Sequence, residues 1–250
     1  MKNIIVFLCT VLLLSACGNE PVSQTENPSV SSSKSSSVQQ AEQVEQESEY
    51  DYYYEANNMS VTTWVDSIGT AWAQVAVEVY NAGKYDLFLD SASVDLETAS
   101  GALVDTQSYI DPCPQVISPG EYAYYVETIM LDFEPTEELF SVWHLDIRES
   151  LTEKIMFPVT DISFSSDNFN KMKVIGRVEN TTSEKQELIQ VCIIPLDSEN
   201  RILCKLFTYV DIQPNDKVGF ECYALSLPEG ITAEDVAGYF VYAFPHQYQF

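Results

Sequence analysis

Val75-Ala76-Val77-Glu78-Val79-Tyr80-Asn81 sets valine at every second position and stops on asparagine, and Val174-Ile175-Gly176-Arg177-Val178-Glu179-Asn180, at an offset of 99, closes on asparagine too. Alternation of this kind is the signature of a β-strand with one buried face. Ala82-Gly83 after the first asparagine and Thr181-Thr182 after the second supply turn chemistry.

Working outward, the two segments head a longer internal correspondence. Ser100-Gly101-Ala102-Leu103-Val104 falls on Glu199-Asn200-Arg201-Ile202-Leu203 at the same offset of 99, a turn feeding a strand in both copies. Ser118-Pro119-Gly120-Glu121 meets Gln213-Pro214-Asn215-Asp216 at 95, and Ser141-Val142-Trp143-His144-Leu145 meets Gly238-Tyr239-Phe240-Val241-Tyr242 at 97. Short stretches rich in Val, Ile, Tyr, Phe and Thr, separated by Asn, Gly, Pro and Asp, read as an all-β sandwich or barrel set. Self-similarity at a fixed period divides it. The expectation is two tandem immunoglobulin-like β-sandwich domains, 57–155 and 156–250, each of an ordinary size for that architecture. Pro158 biases Phe157 toward an extended conformation, which suits a joint between a last strand and a new first one.

At these residues the chain resembles extracellular immunoglobulin-like modules of Gram-positive lipoproteins, including FxLYD-type domains. Val79-Tyr80-Asn81 and Val178-Glu179-Asn180 match the Val-x-Asn strand end of that pattern, and Pro119-Gly120-Glu121 matches its Pro-Gly-Glu turn. Pro214-Asn215-Asp216 departs from the turn, and Ile194-Pro195-Leu196-Asp197 only approximates the motif that names the FxLYD family. The resemblance implies a fold and an extracellular setting, and no catalytic residue.

The N-terminus supports the same setting. Lys2 precedes an apolar run from Ile4 to Leu14, which leads to Leu14-Ser15-Ala16-Cys17. This is the layout of a secretory signal, and the run is about half of what a membrane-spanning helix needs. Leu14 to Cys17 resembles the lipobox of bacterial lipoproteins, which implies a signal peptide over 1–16 and diacylglycerol (palmitate-type acyl chains) on Cys17, holding the chain to the membrane at its extracytoplasmic face. Gly18-Asn19, where Gram-negative inner-membrane lipoproteins carry Asp, points to a Gram-positive surface. Residues 17–56 read as a tether: Ser, Gln, Glu and Asn dominate its first thirty or so positions, too polar to offset their ordering entropy. The tyrosine cluster Tyr50 to Tyr54 ends it, as a contact patch or a packed edge.

Twelve Lys and Arg stand against 38 Asp and Glu, a net charge of −26. A body this acidic is repelled by phosphate backbones, so nucleic acid is excluded as a partner, and the charge disfavours lying flat on an anionic bilayer.

Candidates for chemistry are few. With Cys9 in the signal and Cys17 lipidated, Cys113, Cys192, Cys204 and Cys222 remain, and three complete pairings are open. If Asp197-Ser198-Glu199 is a hairpin tip, Cys192 and Cys204 face each other across two strands and could bridge. Buried free thiols are the alternative. No Cys-x-x-Cys spacing and no histidine beside a cysteine suggests a metal site. His144 lies inside a strand pattern and His246 near the C-terminus, so neither is an obvious base for a nucleophile. The acidic segments Asp161 to Asp167 and Asp197 to Asn200 lack the EF-hand pattern and read as solvated turns or strand ends. The sequence therefore reads as a non-enzymatic surface lipoprotein without catalytic residues, metal or cofactor. It would bind an extracellular protein, a cell-wall component or a small ligand, or space another module from the membrane, or serve as an assembly accessory of a membrane complex.

Overall fold

The computed structural model describes residues 53–166, 171–224, 227–228 and 230–246. The expected signal 1–16, Cys17 and the tether as far as 52 lie outside these residues. Residues 47–250 belong to one compact unit.

The described chain is all-β and forms two sandwiches. The first is built from β1 (Tyr54–Val65), β2 (Ala71–Asn81), β3 (Leu87–Leu89), β4 (Ala92–Thr98), β5 (Leu103–Ile110), β6 (Pro112–Cys113), β7 (Val116–Ile117), β8 (Tyr122–Leu131), β9 (Leu139–His144) and β10 (Ile147–Glu149). One layer has the order β1-β2-β8-β6; the other consists of β5-β4-β9 and β10-β3-β7. Alternation works as read: Val75, Val77 and Val79 of β2 are fully buried, and with Ala123 and Tyr125 of β8 they meet Leu87, Leu89, Val94 and Leu96 of the opposite layer.

The second sandwich comprises β11 (Val159–Ser166), β12 (Met172–Glu179), β13 (Gln186–Leu196), β14 (Leu206–Ile212), β15 (Lys217–Tyr223) and β16 (Gly238–Pro245). Its layers are β11-β12-β15 and β14-β13-β16, closed on Met172, Val174 and Val178 against Ile189, Val191, Ile193 and Leu206. Every ladder among the described strands joins strands of the same sandwich.

The two asparagines that end the repeated strand have the same job in both copies. Each is completely buried, where an unpaired amide is costly. Asn81 Nδ2 donates to the carbonyls of Tyr85 at 2.9 Å and Ile117 at 3.0 Å, while its Oδ1 accepts from Gly83 N. Asn180 Nδ2 donates to Glu184 O at 2.7 Å, Gln213 O at 3.1 Å and Ile212 O at 3.3 Å, and its Oδ1 accepts from Thr182 N. The late turn is tied to the same strand end: Asn81 N donates to Glu121 O, as Asn180 N does to Asp216 O. Gly120 (φ 84°) and Asn215 (φ 52°) both take the left-handed region there. Glycine and asparagine are the residues that enter it most readily, which explains how Pro-Asn-Asp replaces Pro-Gly-Glu.

The β4–β5 and β13–β14 turns also correspond. Thr98 N bonds Ala102 O and Asp197 N bonds Arg201 O, both at 3.0 Å, with Gly101 and Asn200 at positive φ. Counting out from these turns, Phe140 opposite Glu97 stands where Gly238 stands opposite Leu196, an offset of 98. The last landmark of the sequence alignment is thus displaced by one residue, enough in a strand to exchange its faces.

Candidate functional site

The feature that distinguishes the two sandwiches is where their outward faces go. In β13 every residue from Ile189 to Leu196 is buried. Alternate members Ile189, Val191 and Ile193 fill the second core, so Gln190, Cys192, Ile194 and Leu196 must be covered from the other side. They are covered by the outward face of β2 and β8: Ala76, Tyr124 and Val126 form with Cys113, Cys192, Ile194, Leu196 and Phe244 a third apolar cluster between the sandwiches. Tyr124 stacks on Phe240 with ring centroids 4.9 Å apart, and Gln74 Nε2 donates to Ile202 O at 3.0 Å.

A covalent bond crosses the same junction. Cys113, on the short β6, forms a disulfide with Cys192 of β13, closing a sequence separation of 79. Beside it lies Lys205, whose side chain is only 8% exposed and whose Nζ is 3.7 Å from the Glu127 carboxylate and 3.3 Å from the Asp111 carbonyl. Burial lowers its pKa, while Glu127 and Asp111 act in the opposite direction. Burial likewise raises the Tyr124 hydroxyl well above its ordinary range, with Glu78 adding to the effect, and takes Tyr242 to about 12. The junction is apolar at its centre and bordered by polar contacts.

The Cys192–Cys204 bridge that the hairpin reading left possible does not form. The loop beyond β13 is longer than a tip centred on Ser198 requires, so Cys192 pairs with Phe207 in the ladder and Cys204 precedes β14. The two side chains also face apart, Cys192 into the junction and Cys204 into the second core. Cys204 and Cys222 are free and buried. Burial pushes both thiols up, that of Cys222 to about 12, so neither offers a thiolate at neutral pH.

His144 lies on the outward face of β9, its Nε2 3.0 Å from Asp95 Oδ2, while Thr106 Oγ1 donates to Asp95 Oδ1 at 2.7 Å. These bonds hold the Asp95 carboxyl below its ordinary range, the His144 contact contributing most. The hydroxyl is bonded to the carboxylate and not to the imidazole, the reverse of a nucleophile–base–orienter array. His246 Nδ1 is 2.8 Å from Gln190 Oε1. An open groove of about 360 Å³ is lined by Asp197, Arg201, Leu203, Glu234 and Asp235 among others. Two of these three acids are engaged by the backbone: Asp197 accepts from the amides of Glu199 and Arg201, and Asp235 from that of Thr232. Among the described residues no group of three His, Cys, Asp or Glu side chains is arranged to hold a metal ion, and no helix is long and apolar enough to cross a membrane.

Comparison with known families and with curated proteins gives no match to this chain. The junction was open to sequence reasoning only through one signal: Ile189 to Leu196 is almost unbroken by polar residues, which marks a strand covered on both faces. Nothing in the sequence identified Cys113 as the partner of Cys192.

Proposed function

We propose that this chain is a lipid-anchored, extracytoplasmic lipoprotein, attached through Cys17, whose two sandwiches serve as a non-enzymatic binding or spacer module. The observation that carries the reading is the Cys113–Cys192 disulfide across a buried junction. Disulfides persist in oxidising compartments outside the cytoplasm, in agreement with a secretory signal and lipobox ahead of the folded part. The clasp and the apolar junction also oppose hinging between the sandwiches. A stiff body on a polar tether suits presenting a surface within the tether's reach of a bilayer better than closing around a substrate. The Asp95–His144–Thr106 contacts, with the hydroxyl turned away from the imidazole, support a non-catalytic reading.

Replacing Cys17 with Ser, with expression in a Gram-positive host, tests the anchor. The variant should leave the membrane fraction or persist at precursor size. Retention on the membrane at the size of the processed protein would overturn the reading.

A further inference from the structure

Each sandwich presents two outward sheet faces, and the junction uses one from each: the β2/β8 face of the first on the β13/β16 face of the second. The equivalent faces at the opposite ends are left over. Ladder registers transpose them residue by residue. Where the first sandwich pairs Ala76 with Val126, the second pairs Ile175 with Glu221. Where the second pairs Ile194 with Phe240, the first pairs Asp95 with Val142.

The leftover faces both expose apolar side chains and differ in charge. On the β5-β4-β9 face, Leu103, Phe140 and Val142 are 62%, 46% and 41% exposed around Glu97 and Asp95, and these three strands carry no Lys or Arg. On the β12/β15 face, Ile175 and Tyr223 are each 43% exposed beside Lys173, Arg177 and Lys217, three of only 12 basic residues in the chain. On this face Lys173 is paired with Glu221 and Lys217 with Glu179, and Arg177 lies 3.8 Å from Asp161 of the neighbouring β11, so the face is balanced where the β5-β4-β9 face is acidic. Within the molecule Gln74 reaches across to the Leu196/Ile202 bridge. Its counterpart is Lys173, and the counterparts of Leu196 and Ile202 are Glu97 and Leu103, so the same docking between molecules sets an ammonium against a carboxylate.

We infer that the β5-β4-β9 face of one copy docks on the β12/β15 face of a second copy, repeating between molecules the junction that each molecule contains. Two different surfaces meet, so the contact is heterologous and can propagate. It lacks the disulfide and carries charge where the internal junction is apolar, which makes it weaker and sensitive to salt.

Sedimentation of the full chain in non-ionic detergent, from about 10 µM to about 1 mM, reads the association. Wild type should form species beyond the dimer, and fewer of them at high salt. Phe140→Glu and Ile175→Glu, on opposite faces, should each weaken self-association at least tenfold. Mixed together they should form dimers and nothing longer, because each keeps the face the other has lost. A second arm tests the charge pair: Glu97→Lys and Lys173→Glu should each weaken association, and the two together should recover it. A monomeric wild type, association that survives both glutamate variants, or a mixture that stays monomeric would each overturn the inference.

Discussion

Ala76 and Ile175 occupy the same place in two copies of one sheet, yet Ala76 is 1% exposed and Ile175 is 43% exposed. Their cross-strand partners differ in the same sense, Val126 fully buried and Glu221 paired with Lys173 at the surface. The inward residues, the buried asparagines and the turns agree between the copies; the outward ones do not. The fold is therefore carried by one set of side chains and the assembly of the two sandwiches by the alternating set. A few outward positions decide whether a sheet face is an interface or a surface.

Exchanging those positions breaks the comparison most severely. Val126→Glu places an unpaired carboxylate in the junction and should cost about 3 to 5 kcal/mol, whereas Glu221→Val should change stability by no more than about 0.5 kcal/mol. Urea denaturation of both variants measures the contrast, and equal effects would mean that the junction is not closed.

Removing the shared element should instead affect the two copies alike. Asn81→Ala and Asn180→Ala each strand buried backbone carbonyls, at about 2 to 3 kcal/mol. Chemical denaturation should show losses of similar size, and a negligible loss in either variant would show that its asparagine is incidental to that sandwich.

The same division explains what was legible in the sequence. Val75, Val77 and Val79 announce their strand because alternation depends only on neighbours along the chain, and Asn81, Asn180 and the Pro119 and Pro214 turns could be matched because local backbone conformation restricts the residues there. The Cys113–Cys192 pair was not legible, since it depends on docking one sheet face on another, and neither its distance in the chain nor its flanking residues encode that. The possible Cys192–Cys204 bridge failed on hairpin register, where the loop from Asp197 to Lys205 accommodates more residues than a tight turn. The one-residue displacement of the β9 and β16 landmarks arose in the same way, from a loop length that apolar pattern does not report.

A smaller effect sharpens the comparison at Asp95, which stands where the second sandwich has Ile194. Hydrogen bonds from His144 first, and then Thr106, depress its pKa. Its contribution to stability is therefore complete above the unfolded value of about 3.9 and is lost as pH falls through the lower folded value. Melting temperature followed downward from pH 5 should fall more steeply in the wild type than in Asp95→Asn. Parallel curves would remove Asp95 from the account.

The junction itself is tested most directly by a peptide map made without reduction, with free thiols alkylated only after unfolding. The account requires a cross-linked pair of peptides containing Cys113 and Cys192, with Cys204 and Cys222 recovered singly as alkylated thiols. A Cys192–Cys204 cross-link, or four alkylated cysteines from protein isolated outside the cytoplasm, would contradict it.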